Sequence, residues 1–155
     1  MSAIASRAVL FSALTPLVAR GGVLVVFAAA SLAGVLMTDA DQTARAIAAA
    51  GSDWANLLRA MAGLKLLFAL SATAAVWWRL GFAVSPLRFA AYAAAGAATW
   101  VGPGLIWGLV QVGAGAALLH GGLVATSVLL WRDPAVSARL ADAVARRRRA
   151  IRARS

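Results

Sequence analysis

Apolar residues in this chain fall in long blocks separated by short polar stretches. The first block covers residues 16–37 and opens at Thr15-Pro16, where threonine suits a helix cap and proline the first helical position. The polar stretch 38–52 follows, and within it Asp41 to Ala50, closed by Gly51, reads as a short capped helix. Ser52 or Asp53 caps a second block over 54–79, which ends in Trp77-Trp78-Arg79. Gly81 and Ser85-Pro86 make the next break. From Phe89 to Trp131 there are 43 residues without a full-time charge. One helix of that length measures ~65 Å, about twice the hydrocarbon core of a bilayer. Gly102-Pro103-Gly104 is the break signal inside it, which predicts a third helix over 86–100 and a fourth over 105–131. Asp133-Pro134 opens a last helix running to about Arg152, with Val136, Leu140, Val144 and Ile151 on one side and arginines dominating elsewhere.

Blocks of this length match the roughly 20 helical residues needed to cross ~30 Å of hydrocarbon. Backbone groups in lipid have to be satisfied within the segment, so the blocks are read as helices. Runs such as Val23 to Phe27 do not alternate, which argues against a β-barrel. The expectation is an all-α polytopic membrane protein of about four transmembrane helices plus a cytoplasmic, amphipathic, basic C-terminal helix. Its organisation is a transmembrane domain over 1–131 and a basic tail over 132–155. A cleavable signal peptide, cut near Ser31-Leu32-Ala33, is the rival reading of the first block. The block is long for that role and Arg20 interrupts it. The apolar stretch from Ala8 to Leu14 is read as an interfacial segment or an extension of the first span.

Composition strengthens the membrane reading. The chain is 63% hydrophobic, has a mean hydropathy of +0.83, and is only 13% charged, against about 25% for an ordinary soluble domain. It contains no cysteine, which removes thiolate metal sites, disulfides and thiol nucleophiles. It has no glutamate and a single lysine, an Ala/Arg-rich bias that points to a GC-rich bacterial genome.

Charge predicts orientation. One side of the alternating spans collects Arg7, Arg20, Arg79, Arg88, Arg132, Arg139 and the terminal arginines; the other holds Arg45 and Arg59 beside Asp39, Asp41 and Asp53. By the positive-inside rule both termini are cytoplasmic, in the inner membrane of a bacterium. Tryptophan is placed consistently, with Trp77, Trp78 and Trp131 at the inner boundary and Trp54, Trp100 and Trp107 at the outer one.

Few side chains within the spans offer chemistry. Lys65 lies roughly 12 Å deep in the second span, where an ionisable group is a functional candidate unless it snorkels to the outer surface as an anchor. On a helical wheel of the fourth span Gln111 shares a face with Gly104, Gly108, Gly115, Gly122 and Thr126. Such a stripe suits close helix packing, and Gln111 can hydrogen-bond across it, with Lys65 as a partner if the second helix packs there. His120 falls on the opposite face near mid-membrane, within reach of Tyr92 on the third span. Either it makes an interhelical hydrogen bond, relays a proton, or ligates haem or metal through a pair shared by two chains. No metal site or resident cofactor is expected, because no acid or thiol completes a shell around it.

The tail from Arg132 carries eight arginines against two aspartates. With Arg146, Arg147, Arg148 and Arg149 as surface anchors, it suits membrane lipid, including anionic lipid. It lacks groove-reading or stacking residues, so nucleic acid is not an expected partner. No HExxH, GxSxG or phosphate loop occurs, and no carboxylate lies within a span, which leaves a carboxylate-driven pump nothing to work with. Leu64-Lys65-Leu66-Leu67-Phe68, followed by Arg79 and Ser85-Pro86, resembles bacterial copper-resistance membrane proteins over residues 64–86. The methionine and histidine clusters that copper chemistry uses are missing, so no copper site and no membership is read from it. The functional expectation is a non-catalytic accessory, assembly or scaffold subunit of a larger inner-membrane complex, its partners other membrane subunits or further copies of itself. The alternatives are an oligomeric small-solute or ion transporter or channel component using Lys65, Gln111 and His120, and a haem- or metal-binding redox protein through His120.

Overall fold

The computed structural model describes residues 13–152, all of whose regular structure is helical. The apolar stretch before Ala13, with Arg7, and the last three residues of the tail lie outside the described residues. Six helices follow in order: α1 Pro16–Leu36, α2 Ala40–Ala50, α3 Ser52–Arg79, α4 Pro86–Trp107, α5 Val112–Trp131 and α6 Pro134–Arg152. Four of them, α1, α3, α4 and α5, are long and apolar enough to cross a membrane, so the chain is a multi-pass membrane protein.

The ends are set by local chemistry. Asp39 caps α2 by accepting the Asp41 N–H at 2.8 Å, and Ser85 does the same for Arg88 at 3.4 Å ahead of Pro86. Gly51 separates α2 from α3 at φ 89°, a left-handed conformation that a glycine adopts without strain.

The third and fourth spans differ from the sequence expectation. α4 continues through Gly102-Pro103-Gly104 to Trp107, and the reversal comes at Gly108 to Gln111. Membrane helices accommodate an internal proline because neighbouring groups re-satisfy the backbone it frees. The two glycines serve contact instead of a turn. A Cβ on Gly102 would stand 2.6 Å from the Gly115 carbonyl oxygen, and one on Gly104 only 2.7 Å from the Gly34 backbone. The spans are therefore 22 and 20 residues long, each about one bilayer thickness. Leu109 takes φ 62° in the real turn, a conformation costly for a branched side chain.

α4 is the central helix, in contact with α1 on one side, α5 on another and α3 on a third. Its alanines and glycines let backbones approach. Gly96 receives the Phe27 ring of α1, and Gly122 of α5 lies against Ala95 and Thr99. Trp100, expected at the outer boundary, lies within the bundle and donates its Nε1–H to Thr73 Oγ1 of α3 at 2.9 Å. At one end the backbone N–H of Leu14 donates to the Val84 carbonyl at 2.8 Å, tying the entry of α1 to the α3–α4 loop. At the other end Thr43 of α2 donates its hydroxyl to the Gly108 carbonyl at 2.8 Å.

Candidate functional site

Two places bring chemically capable side chains together, and they lie at different depths. The first is at the end of the bundle where α3 finishes, α4 begins and α5 passes into α6. Arg79, the last residue of α3, is 1% exposed and donates Nε–H to Asp133 Oδ2. Tyr92, two turns into α4, donates its hydroxyl to the same oxygen at 3.1 Å. The other carboxylate oxygen accepts the Ala135 N–H at 3.0 Å, so Asp133 also caps α6. Arg88 on the first turn of α4 approaches to 3.7 Å from its half-exposed position. Burial pushes the Asp133 carboxyl up. The hydrogen bond and charge of Arg79, with the donors of Ala135 and Tyr92, outweigh that and hold it below the ordinary carboxylate value.

Cations surround this joint. Arg20 of α1 donates Nε–H to the Trp77 carbonyl at 3.2 Å and lies 5.0 Å over the Trp77 ring. Arg139 of α6 stacks 4.0 Å from the Phe82 ring in the α3–α4 loop, and Phe82 meets Trp78 edge to face. From the sequence, Arg79 reads as a boundary arginine and Asp133 as a helix start. Their pairing joins residues 54 positions apart. The signal available was the aspartate itself, the only acid among the arginines on its side until Asp142.

The second place is a groove between α3 and α5 with a volume of about 330 Å³. Met61, Leu64, Phe68, Leu119 and Leu123 give it apolar walls, and Lys65 and His120 border it. Lys65 is the fourteenth of the 28 residues of α3, and His120 the ninth of the 20 of α5. Both therefore stand near the middle of their helices, and Lys65 lies deeper than the span boundaries in the sequence implied. Both ion pairs among the described residues belong to Asp133; none involves Lys65. His120 Nδ1 lies 2.7 Å from the Ala116 carbonyl of its own helix. A carbonyl only accepts, so that contact places the proton on Nδ1 and leaves Nε2 an acceptor in the neutral ring.

Gly115, Gly122 and Thr126 lie on the buried side of α5, whereas His120 is exposed. Gly104 and Gly108 are not on that helix. Gly104 packs against α1 from α4, and Gly108 meets Thr38 in the turn. Gln111 is exposed at the start of α5, one end of the bundle, so it neither belongs to the small-residue face nor meets Lys65 at mid-membrane. Tyr92 pairs with Asp133 and not with His120, because its ring lies at the α3 C-terminal end of the bundle while His120 is half a helix away. Arg146 to Arg149 are exposed along α6.

No family model, curated protein or solved structure matches this chain.

Proposed function

We propose that this chain is a non-catalytic accessory, assembly or scaffold subunit of a larger complex in a bacterial inner membrane, with both termini cytoplasmic. One observation carries the reading: Lys65, at the middle of a membrane-spanning helix, finds no counter-charge among the described residues. An ionisable group at that depth is costly unless paired or given access to water. All five acids of the chain lie at or beyond the ends of the spans, at positions 39, 41, 53, 133 and 142. A second copy of the chain therefore brings no carboxylate to that depth. A helix of another polypeptide, carrying its own buried acid, seats between α3 and α5, with His120 offering Nε2 beside it. Distribution of arginine toward the α3–α4 loop and the tail supports the cytoplasmic assignment of that end.

The test is purification in a mild detergent after crosslinking from a photoreactive residue placed at Leu64, followed by mass spectrometry. A stoichiometric larger membrane protein is expected, attached through a segment that contains a transmembrane Asp or Glu. Lys65→Met should abolish that adduct while leaving the bundle folded. Adducts solely between copies of this chain overturn the reading and favour an oligomeric transporter in its place.

A further inference from the structure

We infer that α6 is a rigid, in-plane reader of anionic lipid, aimed by the Asp133 joint, and not a loose tail. Its first two turns are held at three points. Asp133 caps it and is clamped by Arg79 and Tyr92, Val136 is buried at 8% exposure, and the Arg139 guanidinium lies on the Phe82 ring. α5 ends at one point of the bundle's end face and Phe82 belongs to the α3–α4 loop at another. A helix that leaves α5 and reaches Phe82 by its second turn crosses that face instead of prolonging α5.

The 19 residues of α6 measure ~28 Å, so everything from Leu140 onward runs past these attachment points. Counting 100° per residue from the buried Val136, Leu140 lies at about 40°, Ile151 at about 60° and Val144 at about 80°. These three are 56%, 61% and 53% exposed, yet they continue the docked face outward. A face that is bundle-side at Val136 is bilayer-side once the helix overhangs the bundle. Arginine is arranged around the same arc. Arg147 falls at about 20° and Arg148 at about 120°, bordering it, while Arg149, Asp142 and Arg146 turn away at about 220°, 240° and 280°. Apolar residues in the acyl boundary with arginines at phosphate height is the arrangement of an interfacial helix on anionic lipid. Lipid is the occupant because the exposed apolar arc is bordered by cations at Arg147 and Arg148; a nucleic-acid ligand would leave Leu140, Val144 and Ile151 in water. That anionic lipid lies on this side in the cell rests on the cytoplasmic orientation proposed above; the contact itself does not.

The chain contains no cysteine, so single-cysteine variants at Asp142, Val144, Arg149 and Ile151 can each carry one spin label on the full protein. In nanodiscs of phosphatidylcholine with phosphatidylglycerol, labels at 144 and 151 should be accessible to oxygen. Those at 142 and 149 should be accessible to a water-soluble relaxant. Both leaflets of the disc have one composition, so the outcome is independent of orientation and of any partner. Arg147→Gln and Arg148→Gln should each shift the bound-to-free ratio about fivefold toward free, and Arg149→Gln less than twofold. Asp133→Asn should flatten the alternation, and with Arg79→Met and Asp133→Ala together, α6 loses its fixed direction in the same way. Equal water accessibility at all four sites overturns the inference. So does an alternation of the same size in phosphatidylcholine alone, equal effects of Arg147→Gln and Arg149→Gln, or release of the labels from lipid by a short DNA duplex.

Discussion

Arg79 and Lys65 stand on the same helix, about four turns apart, and meet opposite circumstances. Arg79 closes α3 where two other helices and a loop converge, and its charge is paired there: Asp133 accepts from Nε, Tyr92 and Ala135 steady the acceptor, Arg88 approaches the same carboxylate from outside, and only Nη1 is buried without a partner. Lys65 stands at mid-helix beside apolar residues and one histidine whose Nδ1 is already engaged. Internally answered charge holds a structure together. Charge left unanswered at that depth is costly unless another molecule pairs with it or water reaches it. The contrast predicts that changes at the joint alter stability and the setting of α6 and leave recognition at the groove alone, and that changes in the groove do the reverse.

The largest effect is expected at the joint. Asp133→Ala strands a buried guanidinium and should cost about 3–5 kcal/mol, read as a lowered midpoint in a dodecyl sulfate unfolding titration. Removing both partners with Arg79→Met and Asp133→Ala should recover at least half of the loss, because the penalty belongs to the unpaired charge. If the double variant is as unstable as the single one, the joint's value lies in capping α6 and packing, and the contrast with Lys65 weakens. Acid probes the same pair. Because the folded carboxyl is held below its ordinary value of 3.8, its stabilisation is fully present above that value and is lost as pH falls through the lower folded value. Native packing at this end should therefore survive to pH 4 and loosen below it, and Asp133→Asn should remove that dependence.

Next in size is the close approach of α4 to α5. A valine at Gly102 would drive its Cβ toward the Gly115 carbonyl oxygen and Leu119, both backbone-anchored, and should cost about 1–3 kcal/mol. Had the turn stood at Gly102-Pro103-Gly104, the same substitution would fall in a loop and cost little. This contact also explains what was legible in the chain and what was not. Span number, the starts at Pro16 and Pro86 and the ends at Arg79 and Trp131 follow from hydropathy and caps, which are local. A glycine that permits contact and a glycine that permits a turn look alike in one dimension, and proline added a false stop. Length held the better clue: a reversal at Gly108 to Gln111 divides the stretch into two spans of nearly equal length, whereas the earlier break left one short and one long. The Arg79–Asp133–Tyr92 joint was illegible for a different reason. It depends on which helix ends meet, and each member alone reads as a boundary residue or a cap.

Smaller still is Tyr92→Phe. It removes one donor from a carboxylate that keeps two others, and a hydrogen bond to a charged group is worth about 1.5–3 kcal/mol; with Asp133 still paired to Arg79, the lower end of that range is expected. The same titration measures it. A loss as large as that of Asp133→Ala would make the hydroxyl, and not the ion pair, the centre of the joint.

The smallest change in stability, and the sharpest test of the contrast, belongs to the groove. Lys65→Met keeps the length and the apolar stem of the side chain while removing a cation that no group among the described residues pairs with. In the isolated protein its unfolding midpoint should move by no more than about 0.5 kcal/mol, or rise, because nothing that holds the bundle together is lost. Only in the presence of the proposed partner should the variant fail, by losing the crosslink from Leu64. A destabilisation comparable to that at Asp133 would mean that Lys65 is answered from within the chain, and the groove would then be a second structural joint instead of a seat for another helix.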